Sequence, residues 1–272
     1  MPEPGVGMVT PARQEGHGRA SSAARASTLL RPFVRGGEGV GTFVPTWSPA
    51  EGQILEGMKS TGDPLVDALF KVRKGKVEFV DVPELAFLVI DGGGDPAGEA
   101  FGDAIRALYS VSYGVHFALK KATGNAPRVM ALEALWWAEG PNAQAIMESL
   151  AGGEPDMKDS DRDAWRWRAM IMQLPPIDAA MIEQAAIEAE AKKDNPSLSA
   201  LRFKRWAEGP SAQIMHIGPY SAEPASIVAL HKAIAEHGSQ PRGRHHEVYL
   251  GDPRTSAPEK LRTILRQPIE PA

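Results

Sequence analysis

The hydrophobic positions of this chain recur with two periods, one typical of β-strands and one typical of α-helices. From residue 76 the sequence predicts two short strands, Val77–Phe79 and Ala86–Ile90, separated by a turn at Val82-Pro83-Glu84. Apolar residues then recur at helical spacing from Glu99 to Lys121, which predicts an amphipathic helix. Two further strands are predicted at 132–140 and 165–176.

The same order of elements returns in the second half of the sequence. Strand, turn and strand are predicted within 201–224, then a helix over 225–238 that ends at a glycine. Strands at 245–253 and 259–269 complete this second unit, and a helix from Asp178 to Lys193 joins it to the first. The recurrence predicts an internal duplication.

The repeat sets the predicted fold. We expect an α+β domain of two ββαββ units related by a pseudo-twofold axis, with an antiparallel sheet and a central ligand cleft. When the two units are aligned, Glu247 falls opposite Glu133. The two carboxylates are therefore candidates for equivalent positions around the cleft.

Residues 1–57 differ from the rest of the chain. They are rich in Gly, Ala, Arg, Pro and Ser and show neither period, so we predict a disordered extension that can be deleted with little effect on stability. An alternative is that translation starts at Met58, where the ordered pattern begins. Either way, the predicted domain spans residues 58–272.

Composition excludes several classes of function. The 272 residues include no cysteine, which rules out disulfides, thiolate nucleophiles and Cys-ligated zinc. A net charge of -4 without blocks of like charge argues against direct nucleic-acid binding. No apolar run approaches the ~20 residues that cross a bilayer, and no secretion signal is apparent. We expect a soluble, cytoplasmic protein that is a monomer or a weak homodimer.

The segment "RHHEVYL" at 244–250 is dense in ionisable side chains. Strand alternation predicts that His245, Glu247 and Tyr249 share one face, while Val248 and Leu250 point to the other. An isolated glutamate on a strand is usually an exposed cross-strand partner of Lys or Arg. A carboxylate among phenols and indoles would instead have a raised pKa and could act as a base, an acid or a counter-ion.

Other motifs are weak. The segment "GGGDPAG" at 92–98 lacks the spacing of a dinucleotide fingerprint and the Lys of a P-loop, so we interpret it as a turn and a helix start. The "HHE" segment places adjacent residues on opposite strand faces, which is unsuited to a metal site. No G-x-S-x-G elbow is present. The sequence therefore predicts no metal and no cofactor.

Six segments together resemble one known family. They are "VDVPELAFLVIDGGGDP", "EAFGDAIRALYSVSYGVHFALKK", "LEALWW", "WRWRAMIMQ", "MHIGPYSAEPASIVALH" and "GRHHEVYLGDPRTSAPEKLRTILRQP". The chain is similar over roughly residues 58–272 to the GyrI-like small-molecule-binding proteins. That resemblance implies a duplicated domain with a central cleft. In multidrug-sensing regulators such a domain receives hydrophobic cations, but this chain has no helix-turn-helix signature.

The resemblance also implies two alternative functions. Stand-alone members include hydrolases that open the cyclopropane of alkylating natural products related to yatakemycin, which protects the cell. The alternative is a non-catalytic module that sequesters lipophilic ligands or inhibits a partner enzyme such as gyrase. The resemblance implies that Glu247 is the cleft glutamate and that Tyr113 assists it. The expected ligand-binding residues are Trp137, Trp165, Trp167, Tyr249, Glu133 and His216, facing a hydrophobic or cationic small molecule.

Overall fold

A computed structural model of the chain describes residues 60–152 and 163–272. The predicted disordered extension and the alternative start at Met58 lie outside these ranges. The helices are α1 (Pro64–Phe70), α2 (Glu99–Thr123), α3 (Ala143–Gly152), α4 (Ala179–Glu190) and α5 (Glu223–Glu236). The strands are β1 (Glu78–Gly93), β2 (Leu132–Ala138), β3 (Trp165–Met172), β4 (Arg202–Ile217), β5 (Ser239–Pro241), β6 (His245–Tyr249) and β7 (Arg262–Pro271).

The strands form one antiparallel sheet that closes on itself. Their order is β4-β1-β3-β2-β6-β7-β5, and a further pairing of β4 with β7 joins the two sides into a barrel-like ring. Closure satisfies the backbone groups that an open sheet would leave at its edges. The mixed α and β composition and the antiparallel sheet confirm the coarse fold prediction. The duplication and its twofold symmetry remain predictions.

The segment around Pro83 differs from the prediction of two short strands and a turn. It is part of the single 16-residue strand β1, and its register with β4 runs unchanged from Val82↔Gly209 to Glu84↔Ala207. Pro83 is tolerated because β3 joins β1 only from Phe87 onward, so this half of β1 has a neighbour on one side only. The equivalent turn predicted within 201–224 is likewise replaced by the continuous strand β4.

Local sequence signals explain where the helices begin and end. Helix α2 matches its predicted start at Glu99 and ends at Gly124, whose φ of 78° is a left-handed conformation that suits glycine. Helix α4 begins after Asp178, whose carboxylate accepts the N–H of Met181. Helices α1 and α3 were absent from the sequence prediction.

Helices α2 and α5 cover the same face of the sheet. Phe101 of α2 packs on Trp136 and Trp167, while Leu230 and Ile234 of α5 belong to a cluster that contains residues of β4 and β7. We call this the helix-covered face and the opposite one the inner face of the ring. Each strand side chain is assigned to a face by its register with its neighbours.

Candidate functional site

Glu247 lies on the helix-covered face, in the middle of β6. Its cross-strand partners are Ala134 on β2 and Leu265 on β7, and residues opposite one another in an antiparallel pair share a face. The Glu247 side chain is 14% exposed, which is unusual burial for a glutamate.

Two hydrogen bonds in series fix the orientation of Glu247. The Tyr249 hydroxyl donates to Glu247 Oε2 at 2.6 Å, and the indole N–H of Trp136 donates to the same tyrosine oxygen at 3.1 Å. Burial, followed by the charge of Glu247, raises the pKa of Tyr249 well above its ordinary value. Tyr249 therefore keeps its proton and acts as a hydrogen-bond donor to the carboxylate.

A second carboxyl group comes from the first residue of α5. Glu223 is 6% exposed, and burial followed by the charge of Glu247 raises its pKa well above the usual range. The preceding short 3₁₀ turn contributes Tyr220, whose ring meets that of Tyr249 edge to face at 5.9 Å. The site thus contains two carboxyl groups, Glu247 and Glu223, and two phenols, Tyr220 and Tyr249.

His245 lies beside Glu247 on the same strand, and His231 of α5 lies near His245. His245 Nε2 lies 3.6 Å from Glu247 Oε1, beyond a normal hydrogen bond, and neither ring nitrogen of His245 has a hydrogen-bond partner within the described residues. Burial, and then the neighbouring His245, lower the pKa of His231 to about 4. His231 is consequently neutral at pH 7 and adds no charge to the site.

An aromatic wall extends from the carboxylate along the sheet. Trp165 lies edge-on to Trp136 at 6.1 Å, and Trp136 in turn contacts Phe101 at 5.3 Å. Trp167 is 2% exposed and packs edge-on against Phe101, so it belongs to the core. Gly92 permits this packing, because a Cβ there would lie 2.2 Å from the Trp167 ring.

His216 holds the end of β4 against the start of α5. Its Nε2 lies 3.2 Å from the Pro219 carbonyl oxygen and its Nδ1 lies 3.0 Å from Ser226 Oγ. A carbonyl can only accept, so Nε2 donates to Pro219, and in the neutral ring Nδ1 accepts from the serine hydroxyl. His216 is therefore engaged in positioning the turn that carries Tyr220.

Tyr113 lies on α2 among aromatic rings of its own helix. It stacks on Tyr109 at 6.1 Å and on Phe117 at 6.0 Å, and burial raises its pKa. Tyr249, rather than Tyr113, is the phenol that bonds Glu247. The sequence prediction had paired Tyr113 with Glu247.

The remaining predicted site residues lie on the inner face. Glu133 is opposite Val248 and thus points away from Glu247, so the structure does not bring the two carboxylates together. Trp137 lies four residues along the same strand, with the Arg244 guanidinium 3.4 Å above its ring and Glu139 accepting its N–H at 3.0 Å. Arg244 already covers this face of the indole.

Glu133 belongs instead to a buried charged network. His246 lies between two carboxylates, with Nε2 3.0 Å from Glu133 Oε2 and Nδ1 2.9 Å from Glu208 Oε1. Arg266 donates to Glu208 at 3.2 Å, to Gln213 at 3.0 Å and to the Leu69 carbonyl at 3.3 Å. This inner network joins β2, β4, β6, β7 and the end of α1.

The pKa values in the inner network follow from these contacts. Burial alone would lower the pKa of His246, but the charge of Glu208 and then the bond to Glu133 raise it to about 9. For Glu208, burial is outweighed by the charge and hydrogen bonds of His246 and Arg266, which lower its pKa to about 2. His246, Glu208 and Arg266 are therefore paired charges at pH 7.

Three residues of the site, Trp136, Tyr220 and Glu223, are absent from the residues predicted from the sequence. The spacing of three residues between Tyr220 and Glu223 at the start of a predicted helix was a usable signal, because it places them on neighbouring positions of one face.

Metal and membrane roles have no support among the described residues. Within 60–152 and 163–272, no group of three or more His, Cys, Asp or Glu side chains could hold a metal ion. Over the same ranges, no helix combines the length and the apolar character needed to cross a membrane.

Comparisons with known proteins place these features in context. Residues 179–270 match the GyrI-like small molecule binding domain. An uncharacterized conserved protein from Listeria innocua is 33% identical, with a TM-score of 0.64 over 75% of this chain and 97% of that chain. A hydrolase from Listeria innocua is 31% identical, with a TM-score of 0.61 over the same shares of the two chains. A search of curated proteins found no match.

Proposed function

Because this chain belongs to the GyrI-like small-molecule-binding family, we propose that it binds an aromatic or hydrophobic molecule beside Glu247 and hydrolyses an electrophilic cyclopropane in it. The observation that carries the proposal is the Glu247 carboxylate, partly exposed and bonded by Tyr249 at 2.6 Å. The similarity to a hydrolase at 31% identity supports a reaction with water. Such an activity would protect the cell from alkylating genotoxins.

Trp165, which is partly buried, supplies the binding surface in this proposal, and Trp136, which is 5% exposed, packs against it. Their rings meet edge to face at 6.1 Å and lie on the same face as Glu247. A flat substrate gains stacking and apolar burial there, while the fixed carboxylate lies at one end. Binding energy from the flat portion would hold the strained ring near Glu247.

The proposed reaction uses Glu247 as a general base. Glu247 accepts a proton from water as the water oxygen forms a bond to the cyclopropane methylene carbon. The adjacent ring C–C bond breaks, and its electron pair moves into the conjugated carbonyl system of the substrate. Tyr249 holds the carboxylate in one orientation through its hydroxyl, and Trp136 holds Tyr249.

A non-catalytic binding module is the second candidate. The same carboxylate, 14% exposed beside indole rings, also suits a lipophilic cation that pairs with Glu247 and stacks on Trp136 or Trp165. In that case the protein would sequester its ligand unchanged. The two functions make different predictions for one substitution.

Glu247→Gln separates the two candidates. If Glu247 is the base, the substitution lowers hydrolysis of a cyclopropane-bearing electrophile by about 10²-fold or more while binding of neutral substrate is retained. If Glu247 is a counter-ion only, the wild type shows no turnover, and cationic ligands alone bind more weakly to the variant. Glu84→Gln is the matched control, because Glu84 is a strand glutamate that is 58% exposed and pairs with Arg205.

The duplicated architecture is also part of the proposal. With α3 (between β2 and β3) and β5 (between α5 and β6) as additions, the order strand, helix, strand and strand occurs as β1-α2-β2-β3 and again as β4-α5-β6-β7, and both first strands have 16 residues. The first strands pair with each other, as do β2 and β6. These pairings support two similar units related by a twofold axis.

A further inference from the structure

Glu223 combines deep burial with an oxygen that no protein group satisfies. The residue is 6% exposed, and its Oε1 has no hydrogen-bond partner within the described residues. A buried polar atom of this kind normally costs stability unless it is neutral or bonds to something else. Glu223 is the first residue of α5 and follows the short turn that contains Tyr220, so it belongs to the site around Glu247.

The surroundings of Glu223 favour its protonated form. Burial is the main cause and the charge of Glu247 is the second, while the nearby Thr263 hydroxyl, which makes no hydrogen bond within the described residues, offsets part of the increase in pKa. Tyr220 and Tyr249 are the phenols of the site, and the pKa of each is raised, first by burial and then by neighbouring carboxylates, which for Tyr220 include Asp252. His245 also lies beside Glu247, 3.6 Å from its Oε1.

The other elements packed against α5 contribute few ionisable groups. On β4, His216 bonds to Ser226 and to the Pro219 carbonyl. On α3, Glu148 accepts from Gln144 at 2.7 Å, and on β7 the Arg266 side chain is bound to Glu208 on the inner face. Glu247 is thus the dominant charge that acts on Glu223.

We propose that Glu223 is the proton donor that complements Glu247, with the two carboxyl groups forming an acid and base pair on the helix-covered face. This inference rests on the proposed hydrolysis. Two carboxyl groups held in different protonation states can divide acid and base work between them. The unsatisfied Oε1 leaves Glu223 with one hydrogen-bonding position that no group among the described residues fills.

The proton balance of the step is complete. Water forms a C–O bond to the ring carbon and loses a proton to Glu247, the cyclopropane C–C bond breaks, and its electron pair reaches the substrate carbonyl oxygen as negative charge. Glu223 gives its proton to that oxygen. One water molecule has then been added, and a proton returns from Glu247 to Glu223 before the next turnover.

Glu223→Gln tests the inference with a spirocyclopropyl dienone as the substrate. We expect kcat to fall about 10²-fold, with little change in the binding of the substrate. The loss should be smaller for substrates whose ring-opened phenol is more acidic, because they need less help from an acid. Glu236→Gln is the control on the same helix, since Glu236 is exposed and pairs with Lys232, and it should react at the wild-type rate.

The pH dependence gives a readout that a merely structural role would not change. Wild-type kcat should fall at alkaline pH as Glu223 loses its proton, and this fall should be absent in Glu223→Gln. If the Glu223→Gln variant does not fold, wild-type protein alone still tests the inference. The decrease in its kcat at alkaline pH must become smaller as the phenol product of the substrate becomes more acidic. An unchanged rate and alkaline fall in Glu223→Gln, with Glu247→Gln inactive, would overturn this inference alone. Absence of any wild-type hydrolysis would overturn the proposed function itself.

Discussion

Replacement of Glu208 by Gln is the sharpest test of the inner network. Glu208 accepts from His246 Nδ1 at 2.9 and 3.1 Å and from Arg266 at 3.2 Å, and all three side chains are buried. Glutamine keeps the shape of the side chain but removes the charge. The variant therefore leaves two buried cations with Glu133 as their remaining carboxylate partner.

The expected loss follows from the pKa of His246. The folded value of about 9 lies above the ordinary 6.5, so the protonated ring stabilises the fold fully below pH 6.5 and loses this effect as pH rises through 9. At pH 7 the difference between the folded and unfolded pKa values of His246 stabilises the folded state by roughly 2–3 kcal/mol, and most of this stabilisation depends on Glu208. Breaking a buried pair typically costs about 3–5 kcal/mol, so we expect a loss of about 3 kcal/mol.

Urea unfolding at pH 7 and pH 10 is the assay. The free energy of unfolding of Glu208→Gln should be about 3 kcal/mol below wild type at pH 7, and Tm should fall by about 6–12 °C. The gap should narrow at pH 10, where His246 is neutral in both proteins. Glu84→Gln, whose pair with Arg205 is 58% exposed on both sides, should lose less than about 1 kcal/mol. Equal stability of Glu208→Gln and wild type, or a gap that does not depend on pH, would refute the reasoning.

Three further predictions concern the aromatic wall and its hydrogen bonds. Gly92→Ala should destabilise the fold by about 1–3 kcal/mol in thermal unfolding, because the new methyl group would lie 2.2 Å from the Trp167 ring. Gly114→Ala is the control and should not destabilise the fold, because its nearest neighbour lies at 3.5 Å. Equal Tm values for the two variants would contradict this prediction. Tyr249→Phe should lower the free energy of unfolding by about 1–3 kcal/mol, since the buried N–H of Trp136 loses the Tyr249 oxygen as its acceptor. An unchanged free energy in urea unfolding would show that this hydrogen bond contributes little to stability. Hydrophobic or cationic ligands should quench tryptophan fluorescence and should quench it less in Trp165→Phe; no quenching across a diverse panel would place Trp165 outside the site.

The sequence predicted individual elements better than their relations. Period and end signals gave α2, α4 and the alternation of β6, because these are local properties. The face shared by His245, Glu247 and Tyr249 follows from alternation within one strand. The proline in β1 was misinterpreted as a turn, since its tolerance there depends on which side of the strand has a neighbour.

Relations between strands could not be obtained in the same way. Glu133 and Glu247 were expected around one cleft, yet the register that pairs Glu133 with Val248 puts them on opposite faces. A shift of one residue in that register would have reversed the result, and a single sequence does not contain the register. Glu223 was missed for a similar reason, because its burial depends on the packing of α5 against β4 and β7.

The central claim is that the protein adds water to a strained ring at Glu247, and the origin of the added oxygen tests it most directly. A cyclopropane-bearing electrophile is incubated with the wild-type protein in ¹⁸O-labelled water, and the mass of the product is measured by mass spectrometry. The Glu247→Gln variant is treated in parallel. We expect one ¹⁸O atom in each ring-opened product molecule and about 10²-fold less product with the variant. Unchanged substrate, a covalent adduct on the protein, or equal product from both proteins would contradict the account.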